Sequence, residues 1–148
     1  MGEIAMRVAA AGALALGTLL ALPAPACALD VSGVWEVEDG DIHVEIWPCG
    51  ESLCGDIVWL KAPLGRGGRP QVDAVNEDRR LRDRPLMGVE LLEGFRRAAA
   101  NRWEGGRIYN PRDGQTYRVD VEVLSADRLK VRGCQLVFCG EELWRRVR

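Results

Sequence analysis

Polar and apolar residues alternate with a period of two over most of the chain. Ile42, Val44 and Ile46 alternate with His43, Glu45 and Trp47. Tyr117, Val119, Val121 and Val123 alternate with Arg118, Asp120 and Glu122, one apolar face against one charged face. Such alternation marks half-buried strands rather than helices. It predicts strands near 33–38, 42–48, 53–60, 88–95, 98–104, 107–109, 115–124, 128–133 and 137–147. Asp39-Gly40-Asp41, Asp113-Gly114 and Ala126-Asp127 supply turns between them. Short connections imply antiparallel, up-and-down neighbours. An open sheet of that width exposes its edges, and closure removes them. The expected fold is all-β: one small antiparallel up-and-down barrel.

The stretch 61–85 breaks the pattern. It holds Pro63, Pro70 and Pro85, three glycines and many charges. A connection of that length usually lids or lines a site, or else is a solvated surface loop. Its second half, 72–84, suggests a helical turn capped by Asp73 or Asn76.

The first 28 residues differ in kind. Arg7 precedes an uncharged run, and Val8–Leu22 is nearly all Ala, Leu and Gly, followed by Pro23-Ala24-Pro25-Ala26-Cys27-Ala28. A basic start, a short apolar core and small residues at the exit form a secretory signal peptide. The core is about 15 residues, short of the roughly 20 a bilayer-spanning helix needs. Cleavage is expected near Ala28, leaving 29–148 as a single domain in the periplasm or outside the cell. Ala24-Pro25-Ala26 ahead of Cys27 is a poor lipoprotein signal, so lipidation there is not expected.

The 148 residues carry 20 basic and 22 acidic side chains, a net charge of −2. That balance argues against nucleic acid, whose phosphates call for a basic excess. Four cysteines remain beyond the signal segment, Cys49, Cys54, Cys134 and Cys139, in two Cys-x4-Cys pairs. An even count in an oxidising compartment reads as two disulfides. Of three connectivities, local pairing is favoured, because residues five apart can meet across a hairpin turn. A four-thiolate zinc site would need reducing conditions, and a redox centre would want Cys-x-x-Cys.

Candidate chemistry is sparse. His43 is the lone histidine and falls in a strand as an outward residue. Ser32, Ser52 and Ser125 lie in no nucleophile setting. No phosphate loop, metal constellation or cofactor motif is present. Asp73 and Asp113 are the nearest approach to a paired-carboxylate hydrolase. Trp59 and Trp103 are expected in the core. Arg79, Arg80, Arg82 and Arg84 mix with Glu77, Asp78 and Asp83 and read as a solvated face. Arg84 stands apart, because Pro85 fixes the backbone beside it. Pairing with Asp73 would fasten the long loop to the barrel.

Several pieces match a known family in order and spacing. They are Gly33-x-Trp35, Cys49-Gly50 through Leu53-Cys54-Gly55-x-Ile57-Val58-Trp59, Asp73-x-x-Asn76, Arg84-Pro85-Leu86-x-Gly88, Trp103-x-Gly105-Gly106-x-Ile108-Tyr109-x-Pro111, Asp113-Gly114-x-Thr116-Tyr117 and Trp144-x-Arg146. The chain resembles the exported bacterial family of unknown function DUF2147 across its whole predicted domain. The resemblance implies a lipocalin-like barrel. It also implies a barrel floor in which Gly33 and Trp35 meet Arg146 or Arg145 in a cation–π contact. Relatives often carry Gln-Thr where this chain has Glu142-Leu143. The family brings no established activity. The leading expectation is a non-enzymatic binder of a small, largely apolar or amphipathic molecule. Asp73, Asn76, Arg84, Tyr109 and Tyr117 would form its polar rim. A cell-envelope interaction module with a solid core is the alternative, and a hydrolase the third reading.

Overall fold

A computed structural model describes residues 29–135 and 138–147. The expected signal segment, with Cys27 and the cleavage site at Ala28, lies outside the described residues. The alternating segments form nine strands: β1 (Gly33–Glu36), β2 (Ile42–Cys49), β3 (Ser52–Leu60), β4 (Glu90–Glu93), β5 (Arg96–Ala99), β6 (Arg102–Asn110), β7 (Gln115–Ser125), β8 (Arg128–Gln135) and β9 (Phe138–Arg146). All pairings are antiparallel. No α-helix occurs among the described residues; Arg66–Gly68 and Arg79–Leu81 are single 3-10 turns.

Nine segments close an eight-stranded barrel. β4 pairs with β6 through Glu93 and Arg107, and β5 continues along the same strand through Arg96 and Glu104. β4 and β5 therefore act as one strand, bent at Gly94-Phe95. The circuit runs β1-β2-β3-β4-β6-β7-β8-β9 and closes between β9 and β1, where Trp35 faces Arg146.

Two features depart from the alternation. Gly105-Gly106 does not end a strand. It forms a bulge inside β6, where the register on β7 shifts between Trp103 and Gly106. A Cβ on Gly106 would stand 2.4 Å from the Phe95 ring, so the bare backbone is what lets Phe95 into the core. Trp59, expected in the core, lies outside at 40% exposure. A register shift on β2 between His43 and Val44 places Ile57 opposite Val44 and Trp59 opposite His43. The skipped residue reverses the alternation, turning Trp59 out and Leu60 in. Trp59 stacks on His43 with centroids 4.1 Å apart.

The barrel is filled at one end only. Trp35, Val44, Ile46, Phe95, Trp103, Val121, Val123, Leu129 and Trp144 are buried there. Below them Arg146 closes the bottom. Its guanidinium lies 4.1 Å from the Trp35 ring and donates to the carbonyls of Ser32, Asp30 and Ala126 at 2.5–2.6 Å. The Trp35 indole donates to Val31 O at 2.9 Å. Gly33 has φ +128°, and a Cβ on it would stand 2.5 Å from Arg146 Nη1. Backbone position and space both select glycine there.

Disulfides join Cys49 to Cys54 and Cys134 to Cys139. The first pins the β2–β3 hairpin at the closed end. The second pins the β8–β9 hairpin at the other.

Candidate functional site: the open mouth of the barrel

Four connections surround the unfilled end: the β1–β2 turn, the long loop between β3 and β4, the β6–β7 turn and the β8–β9 hairpin tip. The long loop is ordered by its own contacts. Val72 bridges Pro85 and Leu64 bridges Pro70. Leu86 and Val89 are buried, and Val89 O accepts from Ile57 N at 3.0 Å. The single turn at Arg79–Leu81 is capped by Asp78. Asn76, expected as a cap, instead accepts from Asp78 N at 2.9 Å.

Asp73 is the centre of this loop and is fully buried. Its Oδ2 accepts from Arg84 Nε at 2.9 Å, Arg84 Nη2 at 2.8 Å and Asn76 Nδ2 at 2.7 Å. Its Oδ1 accepts from the Tyr109 hydroxyl at 2.5 Å. Asn76 Nδ2 also reaches Tyr109 Oη at 3.0 Å. Burial, then the hydrogen bond to Asp73, pushes the Tyr109 hydroxyl up to about 12. The structure thus brings Asp73, Asn76, Arg84 and Tyr109 together, with their polar atoms turned on one another. The loop is fastened to β6 as the Arg84–Asp73 pairing suggested.

Tyr117 belongs to a neighbouring set. Its hydroxyl donates to Asp113 Oδ2 at 2.7 Å, which also accepts from Asn110 Nδ2 at 3.0 Å. The hydrogen bond to Asp113, followed by burial, raises the Tyr117 hydroxyl above its ordinary value. Asp113 Oδ1 accepts from Gln115 N at 2.9 Å. Asp73 and Asp113 sit in separate networks, each already supplied with donors.

Within the mouth lies a cavity of about 600 Å³. Val37, Ile42, Leu91, Ile108, Val119 and Val131 line it, with Tyr109, Tyr117 and Trp144. Of the five expected rim residues, Tyr109 and Tyr117 line this space; Asp73, Asn76 and Arg84 do not, and it is not roofed by residues 61–85.

Five polar residues that the sequence did not single out for a rim do line it: Asp39, Asn110, Arg112, Glu141 and Glu142. Arg112 ion-pairs with Asp39, and with Asp41 at 3.3 Å. The β1–β2 and β6–β7 turns lie on opposite walls in the strand order. The pair is therefore a strap across the opening. Lys61 extends it, 3.3 Å from Asp41. Burial raises Asp39, but the N–H of Asp41 and the Arg112 guanidinium outweigh it and hold its carboxyl below the ordinary value. Glu142 accepts from the Trp144 indole at 2.9 Å. Its inward position follows from the two-residue spacing to Trp144, a signal present in the sequence. The Arg112 strap joins residues 71 apart and left no such signal.

Among the described residues no group of three or more histidine, cysteine, aspartate or glutamate side chains is placed to hold a metal. No helix among them is long and apolar enough to cross a membrane.

A family model described as "Uncharacterized protein conserved in bacteria (DUF2147)" matches residues 33–146. The chain belongs to the DUF2147 family. A solved structure of another bacterial protein shares the fold of this DUF2147 chain. It is protein HP1028 from Helicobacter pylori, described as belonging to the lipocalin family. The two superpose with a TM-score of 0.70 at 20% identity, covering 81% of this chain and 84% of the other. The shared fold is a lipocalin-like barrel. No curated protein matches the DUF2147 chain.

Proposed function

We propose that this protein binds a small, largely apolar molecule in the mouth of its barrel and catalyses no reaction on it. The observation that carries the reading is the half-filled interior. Apolar side chains fill a barrel of this size completely unless something else is to occupy it. Here Val119 and Val131 are buried among strands, yet they border a space of about 600 Å³. Apolar walls with a few polar groups suit a small-molecule site. Only two of the five expected rim residues take part, Tyr109 and Tyr117. Asp73, Asn76 and Arg84 hold the neighbouring loop in place.

Export fits the same reading. Two disulfides persist in an oxidising compartment, which supports release into the periplasm or medium after cleavage near Ala28. Commitment of both Asp73 oxygens to Arg84, Asn76 and Tyr109 weighs against the paired-carboxylate hydrolase.

Native mass spectrometry of protein isolated gently from the periplasm tests the proposal. A discrete adduct of small-molecule mass, lost on organic extraction, is the expected result. The bare mass alone, in every preparation, would favour an envelope interaction module instead.

A further inference from the structure

We propose that the ligand carries a positively charged nitrogen on its apolar body, and that Glu142 receives it. This rests on the binding reading above and assigns the chemical class of its ligand.

The polar groups around the cavity can be taken in turn. Tyr109 and Tyr117 point their hydroxyls at Asp73 and Asp113. The Asn110 amide donates to Asp113, and its oxygen accepts from Arg112 N at 3.0 Å. Arg112 and Asp39 neutralise each other. Glu141 also borders the space, one residue along β9, and stands across from Arg132 on β8. Of the two β9 carboxylates, Glu142 is the one held by a cavity-lining side chain, Trp144.

Its Oε2 is held by the Trp144 indole at 2.9 Å. No lysine or arginine among the described residues forms an ion pair with it. The donor fixes the carboxylate without neutralising it, and Oε1 keeps its full capacity to accept. Trp144 itself is 1% exposed, so the fixed point is rigid.

The wall beside the carboxylate is bare. Gly133 and Gly140 face each other across β8 and β9, one alternation step nearer the mouth than Val131 and Glu142. Both line the cavity. Nothing stands where a side chain on Gly140 would be, whereas Val119 closes the space over Gly133, so the room for a head group between the opening and the carboxylate lies on the β9 side. Tyr109, Tyr117 and Trp144 add aromatic surface, which favours a cation over a neutral group. An anion would meet Glu142, and Arg112, the basic side chain among the described lining residues, is engaged by Asp39 and Asp41. A neutral alcohol would gain one hydrogen bond; an ammonium gains a charge-assisted one.

Three probes with one tail separate the possibilities: n-octylammonium, n-octanol and n-octanoate, titrated calorimetrically into the purified protein at neutral pH. Octylammonium is expected to bind on the order of tenfold more tightly than octanol, and octanoate more weakly than either. Glu142→Gln keeps an acceptor for the indole and removes the charge. In that variant the octylammonium-to-octanol ratio falls to near one, whereas Glu122→Gln on the outer face of β7 retains the wild-type ratio. Equal binding of octylammonium and octanol to the wild type, or a ratio that survives in Glu142→Gln, overturns the assignment of charge and leaves the cavity reading standing. Failure of all three probes to bind overturns both.

Discussion

Oδ1 of Asp73 accepts a hydrogen bond from the hydroxyl of Tyr109, and that bond joins the long β3–β4 loop to the barrel wall. The loop is otherwise proline- and glycine-rich and has little regular structure. Burying a carboxylate is costly unless paired, and Asp73 has Arg84, Asn76 and Tyr109 around it.

Removing Arg84 leaves that charge buried without its counterion. Arg84→Ala is expected to destabilise the protein by about 3 kcal/mol, the lower end for a broken buried pair because Arg84 is one-third exposed. Tyr109→Phe leaves Oδ1 without a donor and costs about 1–3 kcal/mol. Urea denaturation checks both. The same Tyr109 hydroxyl titrates near 12, so the folded form holds its proton after an unfolded tyrosine has lost it. Stability therefore falls as pH rises above about 10. Tyr109→Phe removes that component of the alkaline slope.

The Arg112 strap is built differently. Arg112 is 53% exposed and Asp39 42%, so the pair contributes at most about 1 kcal/mol to stability. Arg112→Ala is expected to leave the melting temperature nearly unchanged and to speed ligand release several-fold, as stopped-flow dissociation would read. The Asp39 carboxyl is held below 3.8 in the folded protein. Its contribution is present above that value and is lost as pH falls through the lowered one. Release that accelerates in acid in the wild type, with no further acceleration in the already fast Arg112→Ala, is the matching observation.

At the closed end, Gly33→Ala forces a side chain onto φ +128° and into the guanidinium of Arg146. The backbone strain alone costs about 1–3 kcal/mol. Arg146→Ala leaves three carbonyls without their donor and uncovers the Trp35 ring. Both variants should shift Trp35 emission toward the red, with loss of stability in thermal melts.

Glu45 faces Asp56 directly across β2 and β3, and Asp56 faces Glu90 across β3 and β4. Burial, then the charge of Glu45, raises the Asp56 carboxyl above 3.8. The folded state therefore binds this proton more tightly than the unfolded chain does. Asp56 costs stability as pH rises past 3.8, the reverse of Asp39. Asp56→Asn is expected to stabilise the protein at neutral pH by about 0.2–1 kcal/mol, the range of a cross-strand pair. It should have no effect well below 3.8. Melting curves at neutral and strongly acid pH would show the difference.

The strands were legible because a half-buried sheet writes its two faces into alternate residues, as in Tyr117–Val123. Closure and the Gly33–Trp35–Arg146 floor were legible through short turns and a recognisable motif. Bulges were not. The sequence carries no mark that Val58 is skipped, so Trp59 reads as core. Gly105-Gly106 looks like a turn until Phe95 is seen to occupy the space. The rim was read from polar residues near turns, which found the Asp73 network but, of the cavity wall, only Tyr109 and Tyr117. A wall is set by which strands become neighbours, and Asp39 meets Arg112 only once the barrel has closed.

The half-filled mouth of the barrel is where a small molecule is expected to bind. A methyl- and indole-resolved NMR titration with n-octanol addresses this expectation directly. Shifts are predicted at Val37, Ile42, Leu91, Ile108, Val119, Val131 and the Trp144 indole, with Trp35 at the closed end unmoved. No saturable shifts, or shifts gathered on the outer Trp47 and Trp59 surface, would contradict it.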